Sequence, residues 1–168
     1  MTVLETERMV LRPPQAEDFE FLRPFAMSDR ARFVGGGAAK DEGHAWRILA
    51  ILAGHWSLRG YGVFAMVERE SGATLGSIGP WFPAGWPEQE LSWTVWSTVA
   101  EGKGFAFEAV SRVRTHVFDD LGWPTAVSYI DPENTRSIAL AERLGAVLDA
   151  DAPRPDEADL VYRHRRAA

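Results

Sequence analysis

The chain has 168 residues, a formal net charge of −6, no cysteine and seven tryptophans. Its length suits a single domain spanning 1–168, and 46% hydrophobic with 25% charged residues is a globular rather than a disordered composition. The missing cysteines exclude disulfides, thiolate metal sites and a cysteinyl nucleophile, and the acidic balance argues against a general nucleic-acid binder, which needs a basic face to displace counterions.

The first eight residues carry acids and no apolar run, so they do not read as a signal peptide. No stretch approaches the roughly 18 apolar residues of a bilayer span. The expectation is a cytoplasmic protein without a membrane partner. In chain order, Arg8–Arg12 alternates and stops at Pro13-Pro14, which predicts a strand. Ala16–Met27 has apolar residues at helical spacing with acids in the first turn. Gly35-Gly36-Gly37 is a break, and Glu42–Leu58 reads as a second helix. Tyr61–Glu68 and Thr74–Gly79 flank the turn Arg69–Gly72 as a hairpin. Glu90–Trp96 is a strand, and Phe105–Leu121 a helix closed by Gly122 and Pro124. Thr125–Ile130 is a strand, Asn134–Leu144 a helix ended by Gly145, and Leu160–His164 a last strand. Two early helices followed by strand–helix units predict an α/β fold, a mixed sheet with helices on both faces.

The segment Glu101-Gly102-Lys103-Gly104-Phe105-Ala106 follows a strand and opens the strongest helix. Small residues at 102, 104 and 106 admit a ligand close to the backbone. The first amides of a helix have no intrahelical partner and sit at the positive end of its dipole, which makes an anion site. The spacing matches neither a Walker loop nor the dinucleotide fingerprint. A turn from strand to helix with no ligand is the bland alternative. Asp131–Ser137 joins the next strand to its helix, with Asn134 as a candidate N-cap.

Taken together, Thr6–Pro13, Glu90–Val95, Glu101–Ala109, Asp131–Ser137 and Ala141–Gly145 resemble the GNAT superfamily of acyl-CoA N-acyltransferases, most closely its ribosomal-protein-acetylating type. The likeness covers nearly the whole chain. It implies a mostly antiparallel, twisted sheet of six to seven strands. It implies that acetyl-CoA is a co-substrate whose pyrophosphate rests on the amides of Gly102, Lys103, Gly104, Phe105 and Ala106. It implies pairing of the pantetheine arm with Val95, Trp96 and Ser97, a hydrogen bond from Asn134 to that arm, and Ser137 near the departing sulfur. Glu101 stands where the family has Gln or Arg. A carboxylate there would repel phosphates, so it is expected to face solvent.

Transfer to an amine needs a base, because amines are protonated at neutral pH. Without cysteine, direct attack in a ternary complex is favoured over an acyl-enzyme. Glu90 is the candidate base, against the alternative of a strand-end carboxylate in solvent. Ser137 is the candidate proton donor and Tyr129 its rival; a helix first-turn residue and a sheet-packing residue are their plain readings. Arg136 is the best-placed cation for the 3′-phosphate, with Lys103 and Arg143 behind it. His44 and His55 lie about 16 Å apart on one helix, too far to share an ion, so no metal is expected. Trp81, Trp86, Trp93 and Trp96 form either a wall for the acceptor or core packing. Asp149–Asp159 holds five carboxylates and one arginine, and the resemblance puts it on the acceptor side, where it would attract a cation. The acceptor itself, a small-molecule or peptide amine, is open. So is a second reading as a coenzyme A-binding sensor without turnover. Exposed aromatic loops suggest a homodimer.

Overall fold

The structure, a computed structural model, describes residues 2–166. Eight strands form one sheet in the order β1-β2-β3-β4-β5-β6-β8-β7. They are β1 (Leu4–Glu5), β2 (Met9–Arg12), β3 (Phe64–Glu68), β4 (Thr74–Trp81), β5 (Glu90–Val95), β6 (Ala126–Ile130), β7 (Val147–Leu148) and β8 (Leu160–His164). Every neighbouring pair is antiparallel except β5 and β6. The mixed, mostly antiparallel sheet is thus as expected. It exceeds the expected six to seven strands because the two-residue strands β1 and β7 add to its edges. Four α-helices accompany it: α1 (Phe19–Ala26), α2 (Glu42–Arg59), α3 (Phe105–Thr115) and α4 (Thr135–Arg143).

Strand alternation sorts the helices onto two faces. Leu91, Trp93 and Val95 of β5 pack into the main core with Phe105, Ala109, Val110 and Val113 of α3. Trp93 also packs against the cluster built on Ala141 of α4. Trp96, of the opposite parity, packs with Leu22 and Phe25 of α1 and Ala45 and Leu49 of α2.

Two helices depart from the periodicity. The expected helix over 16–27 begins as a 3-10 turn, Ala16–Asp18. Asp18 is 1% exposed and accepts from Arg12, Thr74 and the Gln15 amide. Burial opposes its charge, yet those hydrogen bonds outweigh it and hold its pKa below the ordinary carboxylate value. The helix expected to run to 121 widens into a π turn over His116–Asp120. His116, Val117 and Phe118 are all buried. Three consecutive residues do not fit one narrow α-helical stripe, and the wider turn re-aims them.

Candidate active site

The site grows from a fault line in the sheet. β5 and β6 meet at one register position, Glu90 beside Val127, where the Val127 amide donates to the Gln89 carbonyl at 3.0 Å. Beyond it the backbones do not pair. A side chain spans the gap instead: the Ser128 hydroxyl donates to the Leu91 carbonyl at 2.6 Å and lies 2.9 Å from His164 Nε2. His164 is fully buried, and that burial lowers its pKa to about 4. It is neutral at working pH and serves as part of the strut.

A cavity of about 620 Å³ opens along this split. Glu90, Ser92, Trp93 and Thr94 line it from β5, Ser128, Tyr129 and Ile130 from β6, and Asn134 and Ser137 from the start of α4. The three catalytic candidates, Glu90, Ser137 and Tyr129, therefore share one cavity. Glu90 is 7% exposed and accepts from the Trp86 indole through Oε2 at 2.6 Å. Burial pushes its pKa up to about 7; the Trp86 and Ser92 hydrogen bonds offset part of this and the Asp159 charge adds to it. A carboxyl half-ionised near neutrality suits a general base. The Tyr129 hydroxyl is buried with no hydrogen-bond partner among the described residues. Burial, with the nearby Glu88 and Glu90 charges, raises its pKa to about 12, so it stays protonated. Ser137 Oγ accepts from the Trp93 indole at 3.2 Å, and the Ser137 amide donates to Asn134 Oδ1, the α4 N-cap, at 3.3 Å.

The four tryptophans are both wall and support. Trp81, Trp86, Trp93 and Trp96 all line the cavity. Trp81 also stacks on His55 with ring centroids 4.4 Å apart, and Trp96 is buried. His55 accepts from the Phe82 amide and contacts the Tyr61 carbonyl, a structural role. Among the described residues no group of three His, Asp or Glu side chains is placed to hold a metal ion. None of their helices is long and apolar enough to cross a membrane.

The candidate phosphate loop lies after the end of β5, where Thr98–Ala100 forms a 3-10 turn. Gly102 and Gly104 have φ of 72° and 80°, left-handed values that glycine adopts without strain. Gly104 caps α3, its carbonyl accepting from the Glu108 amide at 3.1 Å. The Lys103 amide is engaged at 3.4 Å with the Ala100 carbonyl. The Gly102 and Gly104 amides have no partner among the described residues, and the first amides of α3 have none within the helix. The loop therefore fits an anion such as a pyrophosphate. Arg8, for which no role was expected, braces it. Arg8 pairs with Glu108 at 2.6 Å, donates to the Lys103 carbonyl at 3.0 Å and lies 4.1 Å over the Phe105 ring.

Glu101 corrects one expectation. It does not stand free in solvent. Arg30 pairs with it at 2.5 Å and Arg136 pairs with its other oxygen. Burial opposes its charge, but the two arginines outweigh it and keep Glu101 below the ordinary carboxylate range. One carboxylate thus gathers two cations beside the loop. Arg30 also donates to the Trp96 carbonyl at 2.7 Å and the Val95 carbonyl at 3.2 Å, while the Trp96 and Ser97 amides both donate to the Leu75 carbonyl. The groups expected to pair with a pantetheine arm are already engaged, with Arg30 holding one lone pair of each of those two carbonyls. Arg143 lies 4.1 Å over the Phe107 ring, in the first turn of α3.

A family model described as Acetyltransferase (GNAT) domain matches residues 8–147. An acetyltransferase from Agrobacterium tumefaciens str. C58 is 38% identical, with a TM-score of 0.90, over 99% of this chain and 95% of that one. A protein from Bordetella pertussis assigned to the GNAT acetyltransferases is 29% identical, with a TM-score of 0.77, over 97% and 99% of the two chains. A Vibrio cholerae protein assigned as a ribosomal-protein-serine acetyltransferase shares the fold at 19% identity and a TM-score of 0.76, over 98% of each chain. The split sheet and the glycine-capped helix agree with these matches, and the chain belongs to the GNAT acetyltransferase family.

Proposed function

We propose that the protein transfers an acetyl group from acetyl-CoA to a primary amine by direct attack in a ternary complex. The observation that carries the reading is the buried Glu90, held near pH 7 inside the cavity where β5 and β6 part. The amides of Gly102, Gly104, Phe105 and Ala106 hold the pyrophosphate, with Lys103 and Arg136 at its edge. Asn134 and the end of β5 align the thioester arm.

Glu90 takes a proton from the acceptor ammonium, directly or through a water. The neutral nitrogen then forms its bond to the acetyl carbon while the carbon–sulfur bond breaks. Tyr129 donates its proton to the departing sulfur, and the proton that the acylated nitrogen must still lose returns to the Tyr129 phenolate, directly or through a water. Tyr129 is preferred to Ser137 because a phenol is a stronger acid than an aliphatic hydroxyl. A protein N-terminus of the ribosomal type remains within this acceptor class; what supports it is the likeness of the motifs and the shared fold.

The test is free-thiol release from acetyl-CoA against a panel of primary amines, with the acetylated product identified by mass. Amine-dependent release is expected. Binding of acetyl-CoA with no release for any amine favours a coenzyme-binding sensor of the same fold.

A further inference from the structure

One guanidinium joins two parts of the site. Arg30 lies in the 3-10 turn Asp29–Val34, and its side chain reaches the end of β5. Its Nη1 donates to the Trp96 carbonyl at 2.7 Å and its Nη2 to the Val95 carbonyl at 3.2 Å. Its Nε and Nη2 donate to one Glu101 oxygen at 3.1 and 2.5 Å. The guanidinium also lies 5.2 Å over the Phe25 ring. All three of its nitrogens are thus engaged on the coenzyme side. A planar fork with fixed donor directions holds such a set of acceptors, whereas an ammonium does not.

The residues that follow Arg30 build one wall of the cavity. Ala31, Phe33, Val34 and Gly35 line it, together with Ile48 and Leu52 of α2. Ala31 is fully buried and packs with Leu22 and Phe25 of α1, Ala45 and Leu49 of α2, and Trp96. The far end of the segment is held to α1. The Gly36 amide donates to the Ala31 carbonyl and the Gly37 amide to the Ala26 carbonyl, both at 2.9 Å. A Cβ added at Gly36 would stand 2.3 Å from the Ala31 Cβ and 2.6 Å from the Ala26 oxygen, so the packing there has no slack. His44 Nε2 lies 2.8 Å from the Gly35 carbonyl and ties the segment to α2. Toward the sheet the anchoring is different. Among the described residues, Arg30 makes every hydrogen bond and ion pair that joins residues 28–37 to β5 or to the loop after it. The thioester arm takes the end of β5 and Asn134, which leaves this wall for the amine.

We propose that Arg30 is a positioning residue that holds the wall of residues 31–35 in register with the coenzyme loop, so that a bound coenzyme sets the wall the amine meets. The assignment rests on the acetyl-transfer reading and goes beyond it by linking the two substrate sites. Arg30 takes no part in making or breaking bonds. A coenzyme arm laid along the end of β5 covers the fork and excludes water from it, which strengthens hydrogen bonds from a charged donor. A firmer fork holds residues 31–35 more tightly. Their placement matters to the reaction, because a shift of about 1 Å in a bound reactant can cost on the order of a hundredfold in rate.

Hydrogen exchange over residues 28–37, read by mass spectrometry with and without acetyl-CoA, tests the link and needs no acceptor. Calorimetry first establishes that the coenzyme binds. Acetyl-CoA is expected to slow exchange of this segment in the parent by about threefold or more. Arg30→Met combined with Glu101→Gln removes the tie and leaves no uncompensated carboxylate at the phosphates. In that variant the segment is expected to exchange faster, and equally fast with and without coenzyme, while residues 102–106 are still protected by it. Arg30→Lys keeps the charge and loses the fork, and its response is expected to fall below the parent's; it makes the same comparison if the double variant binds coenzyme too weakly. For any amine that the parent turns over, the double variant is expected to raise the amine KM about tenfold with coenzyme affinity near the parent's. A segment that ignores acetyl-CoA in the parent, a response as strong in the variants as in the parent, or an unchanged amine KM overturns the assignment and leaves the acetyl-transfer reading standing. Failure of the parent to bind acetyl-CoA overturns that reading itself.

Discussion

The Trp86 indole and the Glu90 carboxylate meet at 2.6 Å inside the cavity, so a loop residue and a strand residue together set the state of one acid. Trp86 lies in the loop that joins β4 to β5, and Glu90 opens β5 beside the point where the sheet splits. The indole favours the charged form and burial disfavours it, and burial wins, leaving the group at about 7.

The pH dependence follows from that balance. The base works only when ionised, so kcat/KM should climb through a midpoint near 7 and flatten above it. Glu90→Gln should remove this limb and lower kcat/KM about a hundredfold or more.

Stability should move in the opposite direction. A folded-state pKa raised above the unfolded value means that the native state prefers the protonated form. The contribution is therefore complete below about pH 4.5 and is lost as pH rises through about 7. Glu90→Gln should be more stable than the parent at about pH 8, by an amount on the order of a few kcal/mol, and should differ least at acidic pH. Thermal unfolding at the two pH values checks the sign.

Tyr129→Phe separates chemistry from packing. The hydroxyl it removes has no partner among the described residues, so the melting temperature should hold or rise. If Tyr129 is the donor, kcat should fall about a hundredfold, and Ser137→Ala should cost less. The reverse order would assign the proton to Ser137.

The Glu101 network predicts a rescue. Arg30→Met leaves Glu101 with only the exposed Arg136 and strips the Val95 and Trp96 carbonyls of their donor. Coenzyme affinity should fall about tenfold, because an undercompensated carboxylate then faces the phosphates. Arg30→Met combined with Glu101→Gln should recover most of that loss, a coupling that a double-mutant cycle by calorimetry measures.

Gly104→Glu should abolish coenzyme binding while sparing the fold. Its φ of 80° costs a side chain about 1–2 kcal/mol, and the nearest atom to an added Cβ is Arg8 Nη2 at 3.6 Å, an ordinary contact. Circular dichroism and calorimetry read the two effects separately.

What was legible in the sequence was local. The glycine loop, the Asn134 cap, the hairpin around Arg69–Gly72 and Glu90 at a strand start each carry their signal within a few residues. What was hidden depends on distant partners. Arg30 reaches Glu101 across 71 positions and Arg8 reaches Glu108 across 100, with no nearby residue to announce either. The charge argument at Glu101 identified a real repulsion, but only the fold supplies the two arginines that absorb it. The Ser128–His164 strut is likewise invisible until β6 and β8 pair. β1 and β7 are two residues long, too short to show a period of two.

The most direct measurement of the central claim is an electron-density map of protein soaked with acetyl-CoA. The account predicts pyrophosphate density on the amides of Gly102, Gly104, Phe105 and Ala106, and the thioester between β5 and β6 beside Glu90 and Tyr129. Coenzyme density away from the α3 N-terminus, or none at saturating concentration, would contradict it.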